Sequence, residues 1–342
     1  MVKVSAPGKI HLIGEHSVVY GEPAIISAIN LRCHVNAEKG GKELIVKIPE
    51  ISLEEFLNYE EAITFSEQVK KLWKECHDIQ DFSELFGLMK KDPMNQIKAT
   101  IGEILKELYI GTGIHLEINS EIPIGAGLGS SAALSVAITK AVAEIHGQKT
   151  DKDEINRIAF GVEKYMHGMP SGGDNSVCCY GGIIWFQKGD PNTINLITSS
   201  FDSLKDFILV NTGKPHKSTG ELIQHIRNLN ENFRNSRIKA LGQASYAMKD
   251  ALHSMDMGKV KGLMNFAQRN LKELGVSTDK IDEIHEEVLK IGGAAKLSGA
   301  GGGGIVLCYH ENRKKLEDKV ISLGLEPLPV NLAAEGVRVE NP

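Results

Sequence analysis

A glycine-rich loop between an alternating segment and a helix constrains the fold of this 342-residue chain more than any other feature. Residues 114–119 alternate apolar and polar side chains, which predicts a half-exposed strand. Residues 123–133 place three alternating glycines and two serines directly before a helix predicted at about residues 131–146. A helix start exposes unpaired N–H groups and a partial positive charge, so a flexible loop there attracts phosphate. The stretch predicts either an anion cradle or an ordinary glycine-rich turn into a helix.

The residues around this loop exclude two common phosphate-binding motifs. The loop lacks the Gly-Lys-Ser/Thr ending of a Walker-type loop. A buried Rossmann strand is almost continuously apolar, whereas residues 114–119 alternate. Strands and helices follow one another without regular βαβ repetition, so we expect an α+β protein with two domains. Residues 190–203 are rich in Asp, Pro, Asn and Ser, and the boundary predicted there gives domains 1–195 and 196–342.

Three local patterns predict secondary structure at less regular places. Pro7-Gly8 predicts a turn between two short strands at residues 2–6 and 9–13. Residues 51–110 are predicted to be helical, because apolar residues recur there at helical intervals. The adjacent Cys178 and Cys179 are predicted to lie in a strand with their side chains on opposite faces.

The composition disfavours several partners and compartments, although a local basic groove is compatible with the net charge. A net charge of −5 disfavours nucleic acid as the main partner, and no apolar run reaches membrane-spanning length. The N-terminal residues lack the apolar core of a signal peptide. The five cysteines show no Cys-x-x-Cys spacing, and the twelve histidines form no cluster with zinc-ligand spacing. We therefore expect a cytoplasmic protein with free thiols and without nucleic-acid or membrane partners.

Charged residues within otherwise apolar segments indicate two candidate sites. Lys9, Glu15 and His16 lie around two turns where unpaired charge is costly to bury, which predicts a polar cleft. The alternative is the solvent-facing side of an edge strand. Glu163 lies at the border of the apolar stripe of a predicted helix, from which a carboxylate can reach a magnesium ion. Asp174 follows on a glycine-rich turn, and its alternative role is a turn residue bonded to its own backbone.

Two later segments have weaker signals. Residues 211–219 leave a strand and open a helix, and their Lys214, Lys217 and Thr219 suit an anion such as a substrate carboxylate. A solvated basic loop explains that pattern equally well. Residues 296–305 place glycines between two apolar strands, which lets the backbone approach a neighbour or ligand closely. A flexible linker is the alternative, although the immediate return to apolar residues favours a turn inside a domain.

Four motifs, in this order, resemble those of the GHMP kinase superfamily, and within it those of the mevalonate kinases. The first joins Ala6-Pro-Gly-Lys-Ile10 to Gly14-Glu-His-Ser-Val-Val-Tyr-Gly21, and the second is the glycine–serine loop. The third runs from Pro170 to Asn175, and the fourth is the glycine run at 299–304. Galactokinases typically begin with Arg-x-Asn-Leu, and phosphomevalonate kinases usually lack the Glu-His pair. The resemblance covers nearly the whole chain.

The resemblance implies a fold and an activity. The fold would pair an N-terminal ribosomal-protein-S5-domain-2-like domain with a C-terminal ferredoxin-like domain, with the active site in the cleft between them. The activity would be the Mg²⁺- and ATP-dependent phosphorylation of the 5-hydroxyl of (R)-mevalonate to 5-phosphomevalonate in isoprenoid biosynthesis. Two alternatives stay open: a related kinase for another small hydroxylated metabolite, such as phosphomevalonate, and a non-catalytic nucleotide or metabolite sensor. Whether the chain forms a homodimer is also open.

The resemblance also implies roles for particular residues. Asp174 would be the catalytic base, with Lys9 beside it favouring the charged aspartate and stabilising negative charge in the transition state. Glu163 and Ser131 would hold the magnesium ion. The positions associated with substrate, or with ordering its site, are Lys9, Glu15, His16, Asp174 and Thr219. The residues that would cradle the ATP phosphates are Pro123, Gly125, Ala126, Gly127, Leu128, Gly129, Ser130 and Ser131.

Two positions depart from the family pattern. Gly173 stands where relatives usually have a larger apolar residue, so part of the substrate wall is expected to differ. Lys217 stands where many relatives have arginine, which replaces a bidentate fork by a point charge. Both departures bear on substrate fit more than on reaction type.

Overall fold

The protein folds into two β-sheets with helices packed on them. The structure, a computed structural model, describes residues 1–40, 43–108, 113–123, 125–189, 191–198, 204–217 and 219–340. The helices in this part of the chain are α1 Tyr59–Ile79, α2 Ser83–Lys91, α3 Met94–Glu107, α4 Ser130–Ile145, α5 Lys152–His167, α6 Gly173–Tyr180, α7 Thr219–Arg227, α8 Glu231–His253, α9 Met257–Glu273, α10 Asp279–Lys290 and α11 Arg313–Ser322.

The first sheet is organised around its long second strand. Its strands are β1 Val2–Ile13, β2 Ala24–Lys39, β3 Leu44–Ile48, β4 Leu53–Leu57, β5 Ile114–Ser120, β6 Ile183–Gln187, β7 Thr193–Thr198 and β12 Arg338–Val339. Strand β2 pairs with β1 along its length, while its first part pairs with β6 and its second part with β5. The neighbouring β3 and β5 run parallel, and the other pairs are antiparallel. A mixed sheet of this kind separates the chain from doubly wound parallel folds.

Helix α4 lies in the centre of the first domain. It packs on β1 and β2 and also contacts α3, α5 and α6. Nearly every residue from Ala132 to Ala143 is buried, since the helix is covered on several sides. Small alanine side chains suit this position because they let neighbouring elements approach closely. The helix is thereby held rigidly, with its N-terminus directed at the glycine loop that precedes it.

The second sheet is antiparallel and has the order β11-β8-β10-β9. Its strands are β8 Phe207–Asn211, β9 Ala294–Ser298, β10 Ile305–Tyr309 and β11 Pro327–Val330. Helices α9 and α10 pack on β9, and α11 packs on β8 and β10. The strands β8, β9 and β10 are buried almost throughout, so this sheet has its own apolar core.

The C-terminal end of the chain returns to the first sheet. Strand β12 pairs with β1 at Val4 and Ser5. The buried guanidinium of Arg32 donates hydrogen bonds to the carbonyl oxygens of Glu335 and Gly336 at 2.7 Å. The division at residues 195 and 196 falls inside β7, which pairs with β6 of the first sheet. Residues 190 and 199–203 of the predicted boundary lie outside the described residues, and the division stays a prediction.

Three local predictions were wrong in detail. Residues Val2–Ile13 form one strand, because a register shift between Pro7 and Gly8 absorbs the expected turn as a bulge. Residues Leu53–Leu57 form a hairpin strand with β3 before the first helix begins. Cys178 and Cys179 lie buried in α6. The segment between Gly172 and Gly181 is too short for its hydrophobic periodicity to distinguish a strand from a helix. Its packing against α4, α5 and β1 favours the helix.

Candidate active site

The glycine loop presents an uncapped helix N-terminus. Gly125, Gly127 and Gly129 have φ angles of +74°, +76° and +73°, values that residues other than glycine rarely adopt. Gly129 is the N-cap of α4, and within the described residues no side chain caps the helix. The first N–H groups of α4 are therefore available to an anion. Pro123, Ala126 and the buried Leu128 shape the rest of the loop.

Lys9 and Asp174 meet directly beside this loop. Lys9 lies in β1, is 5% exposed, and its Nζ is 3.0 Å from Oδ2 of Asp174. Asp174 lies in the first turn of α6, which starts after Gly172 in the left-handed conformation. The backbone N–H of Lys9 donates to the carbonyl of Leu128 at 2.8 Å, so β1 and the glycine loop are locked together. A Cβ on Gly129 would lie 2.6 Å from Cγ of Lys9, which makes glycine necessary there.

The electrostatics of this pair favour an ionised aspartate. Burial, the largest single influence, raises the pKa of the Asp174 carboxyl, but the ammonium of Lys9 together with His11 and His167 outweighs it and holds that pKa below its ordinary value. His11 follows Lys9 on the same face of β1. Burial, and then the positive charge of Lys9, lowers the pKa of His11 to about 3, so its imidazole is neutral at physiological pH. Asp174 thus carries negative charge beside the ammonium of Lys9.

Glu163 and Ser131 lie close together around His167. Nε2 of His167 is 3.2 Å from Oγ of Ser131 and 3.5 Å from Oε2 of Glu163. Glu163 is 1% exposed, and burial raises its pKa although His167 opposes this effect. Its second oxygen, Oε1, is buried and has no hydrogen-bond partner among the described residues. A buried carboxylate oxygen without a partner is costly, so this atom fits a ligand absent from the structure.

A cavity of about 100 Å³ joins these groups. It is lined by Glu163, His167, Pro170, Ser171, Gly172, Asp174 and Asn175. A larger cavity of about 220 Å³ lies between α1, α3 and α5, and its lining includes Trp73, Phe160 and Lys164. The smaller cavity is the better candidate for chemistry, because it contains the paired aspartate and the buried glutamate.

Glu15 and His16 connect the first motif to the second domain. Glu15 is buried and forms an ion pair with the fully buried Lys296 of β9. Nε2 of His16 donates to the carbonyl oxygen of Ala300 at 2.7 Å. The loop after β1 is therefore held by the segment that carries the glycine run at 299–304.

The glycine run packs against the loop that leads to α7. The N–H of His216 donates to the carbonyl of Gly302 at 3.0 Å, and a Cβ on Gly303 would lie 3.0 Å from Cα of Pro215. This is a turn inside a domain, as the apolar flanks predicted. Thr219, the first residue of α7, is exposed. Among the described residues, no hydrogen bond or ion pair joins Thr219 to Lys9 or Asp174.

The structure adds site residues to which the sequence pattern assigned no role. His11, His167 and Lys296 all contact or face the candidate residues. Gln96 of α3 supports the loop by donating to the carbonyl of Ser131 at 2.8 Å. Lys296 was visible in the sequence as a charge within an apolar strand, the signal that singled out Lys9. The other three had no local signal.

In the described part of the chain, no group of three or more His, Cys, Asp or Glu side chains is arranged to hold a metal ion. No described helix combines the length and apolar character needed to cross a membrane.

Comparisons with known proteins show to which family the chain is similar. Residues 95–182 match the GHMP kinases N terminal domain, and residues 248–324 match the GHMP kinases C terminal domain. A mevalonate kinase of Pyrococcus abyssi is 32% identical over 99% of this chain and 98% of its own length. One of Archaeoglobus fulgidus is 32% identical over 98% and 99%. The crystal structure of the Methanococcus jannaschii mevalonate kinase superposes with a TM-score of 0.81 at 28% identity, covering 97% of this chain and 98% of that one.

The fold and the similarity over the full length define an ATP-dependent kinase of the GHMP class. The chain belongs to the GHMP kinase family and, within it, to the mevalonate kinases. The family and the two-domain α+β fold implied by the four motifs are thus confirmed.

Proposed function

We propose that the protein transfers the γ-phosphoryl group of ATP to the 5-hydroxyl of (R)-mevalonate, giving 5-phosphomevalonate and ADP. The observation that carries this proposal is the contact of 3.0 Å between Lys9 and Asp174 beside an uncapped helix N-terminus. Phosphoryl transfer asks a protein mainly for positioning and for neutralisation of charge. The full-length similarity to mevalonate kinases supports mevalonate as the acceptor.

Asp174 acts as the general base in this proposal. Its carboxylate accepts the proton of the attacking hydroxyl while the hydroxyl oxygen forms a bond to the γ-phosphorus. The bond between the γ-phosphorus and the oxygen bridging to ADP breaks, and ADP takes that electron pair. Because Lys9 keeps the pKa of Asp174 low, the base is ionised before the substrate arrives. The ammonium of Lys9 also stabilises the negative charge that develops on the transferred group.

The glycine loop would hold the triphosphate. The uncapped N–H groups at the start of α4 donate to phosphate oxygens, and the glycines allow the backbone to curve closely round them. The residues proposed for this cradle are Pro123, Gly125, Ala126, Gly127, Leu128, Gly129, Ser130 and Ser131. Glu15 and His16 would order the acceptor site, and Thr219 is proposed to contact the substrate.

Glu163 and Ser131 would hold a magnesium ion. The donor set fits this hard cation, because one carboxylate and one hydroxyl leave the remaining positions to phosphate oxygens and water. Oε1 of Glu163, which has no hydrogen-bond partner in the described part of the chain, is the atom that supports this assignment. When bound, magnesium neutralises phosphate charge. The contact of His167 with both side chains holds the two donors side by side.

A substrate panel tests the acceptor. Purified protein with magnesium and ATP is offered (R)-mevalonate, 5-phosphomevalonate, galactose and homoserine, and products are identified by ³¹P NMR and mass spectrometry. We expect 5-phosphomevalonate as the dominant product. Faster turnover of another alcohol would overturn the substrate, and nucleotide binding without turnover of any acceptor would indicate a sensor.

A second experiment tests the metal site. Glu163→Gln removes the proposed ligand charge, so the magnesium concentration for half-maximal activity should rise by roughly 10-fold or more. Binding of Mn²⁺ in the presence of ADP, followed by electron paramagnetic resonance, should weaken in parallel. Binding of metal-free ADP provides the control and should stay unchanged. An unaltered manganese titration would remove Glu163 from the metal site.

A further inference from the structure

Lys296 is fully buried in the middle of β9, in a strand whose residues are all buried. A lysine in such a place needs compensation for its charge and for its three donors. Its ammonium forms the ion pair with Glu15 and donates to the carbonyl of Leu297 at 2.7 Å and to that of His11 at 3.3 Å. Two of the three partners belong to the other domain, so Lys296 makes a contact between domains.

The side chains of β9 occupy an edge of β1 that β12 leaves open. The pairing of β12 with β1 covers Val4 and Ser5. Further along β1, the N–H of His11 donates to Oγ of Ser298 at 3.2 Å, and the carbonyl of His11 accepts from Lys296. Lys296 and Ser298 lie two residues apart on one face of β9, so they hold both backbone groups of His11 together.

The same stretch of β1 carries Lys9, the lysine that contacts Asp174. Lys9 and His11 also lie two residues apart, on the face of β1 that is directed at Asp174. A shift of the backbone at His11 therefore moves Lys9 relative to Asp174. From this arrangement we propose that Lys296 is a positioning residue for phosphoryl transfer, which acts through His11 and Glu15 and fixes Lys9 against Asp174. The proposal rests on the proposed function, in which Lys9 and Asp174 carry the chemistry.

The buried ion pair makes this contact sensitive to substitution. Burial raises the pKa of Glu15 and lowers that of Lys296, and each partner opposes the effect on the other. Oε2 of Glu15 has no partner among the described residues. Removing the ammonium would leave a buried carboxylate uncompensated, which is strongly unfavourable. The loop at Glu15 and the edge of β1 would then rearrange, even though Lys9 and Asp174 themselves are unchanged.

The test compares two substitutions in the same strand. Lys296→Met keeps an unbranched side chain one atom shorter and removes its charge, whereas Leu297→Ala makes a cavity on the opposite face of β9 and leaves His11 untouched. We expect Lys296→Met to lower kcat for mevalonate about 10- to 100-fold, with KM for ATP changed by less than about 3-fold, because misplacement of reacting groups acts on the chemical step. Leu297→Ala should lower the melting temperature but keep kcat within about 2-fold at a temperature where both variants are folded.

Hydrogen exchange gives a readout that needs no substrate. The amide of His11 should exchange at least about 10-fold faster in Lys296→Met than in Leu297→Ala. The reason is that Lys296→Met loosens the contact between β9 and β1, which includes the hydrogen bond from this amide to Oγ of Ser298. If Lys296→Met does not fold, Ser298→Ala replaces it and should accelerate the same amide and lower kcat about 3- to 10-fold. The positioning role would be overturned if Lys296→Met, or Ser298→Ala in its place, showed the same exchange rate at His11 and the same loss of kcat as the Leu297→Ala control. If the wild-type enzyme does not turn over mevalonate, the proposed function fails separately, while the exchange result still decides the contact.

Discussion

The ammonium of Lys9 lies 3.0 Å from the carboxylate of Asp174, although the two residues belong to the first strand and to a short helix in the middle of the chain. The pair is aligned by its surroundings: the N–H of Lys9 is bonded to Leu128, and Asp174 is held in the first turn of α6. This contact sets the charge of the proposed base and places it next to the proposed phosphate loop. Most of the testable consequences of the structure follow from it.

Replacing the base should separate chemistry from binding. Asp174→Asn removes the proton acceptor with little change in shape, so kcat should fall about 10²- to 10⁴-fold. Nucleotide affinity, measured by isothermal titration calorimetry, should change little because the phosphate loop is intact. Asp250→Asn makes the same chemical change on the exposed side of α8 and serves as the control. Near-normal kcat in Asp174→Asn would show that another group is the base.

The pH dependence should reveal the effect of Lys9 on Asp174. The base acts when ionised, so activity is present above its pKa in the folded protein and is lost as pH falls through that value. Since Lys9 holds this pKa below the ordinary 3.8, wild-type kcat/KM should show no loss from Asp174 down to roughly pH 5.

In Lys9→Met, burial dominates and raises the pKa of Asp174, so an acidic limb should move up into the measured range. The other titratable groups that face Asp174 are His11, His167 and Glu163. The pH profiles of kcat/KM are recorded for the wild type and Lys9→Met under the same conditions. The titration of ATP affects both profiles equally, so it does not contribute to the difference between them. Coincident acidic limbs would mean that Lys9 does not control the pKa of the base.

Two glycines with the same backbone conformation should respond differently to alanine. Gly127 and Gly129 both have φ above +70°, so either substitution should destabilise the protein by about 1–2 kcal/mol. A Cβ at Gly129 would meet Cγ of Lys9 at 2.6 Å, whereas one at Gly127 has no neighbour within 4 Å. Gly129→Ala should therefore lower kcat by displacing Lys9, and Gly127→Ala should act mainly on KM for ATP. Thermal unfolding and steady-state kinetics separate the two effects, and equal kcat values would contradict the contact.

The space around Gly173 is limited by its neighbour Ile26. A Cβ there would lie 2.8 Å from Cδ1 of Ile26, the far end of a side chain that can turn away, so Gly173→Ala should cost no more than about 1 kcal/mol of stability. Shortening the neighbour in Gly173→Ala/Ile26→Val should recover part of that loss. Denaturant unfolding of the two single variants and the double variant gives the coupling energy. Additive effects of the two substitutions would show that these side chains do not compete for space.

Much of the local structure could be predicted because it depends on neighbours in the sequence. The alternation at 114–119 predicted β5, and the apolar run after Ser131 predicted α4 to within a residue at each end. The bulge at Pro7-Gly8 and the helix at Cys178 were missed, since there the contacts with β2 and α4 outweigh local preference. Motif resemblance named Lys9, Glu163 and Asp174 as a set, yet it contained no distances between them.

By itself the sequence determined the α+β class and the family and predicted a glycine loop suited to phosphate, because glycine spacing and hydrophobic periodicity are properties of short segments. Tertiary structure alone decided the distance of 3.0 Å between Lys9 and Asp174, which the motif resemblance had placed side by side. It also decided that Oε1 of Glu163 is left without a partner among the described residues, and that Lys296 crosses to Glu15 in the other domain. Such contacts join residues far apart in the chain. Their geometry depends on how two sheets and the central helix α4 pack, and burial then fixes the pKa values that local sequence leaves open.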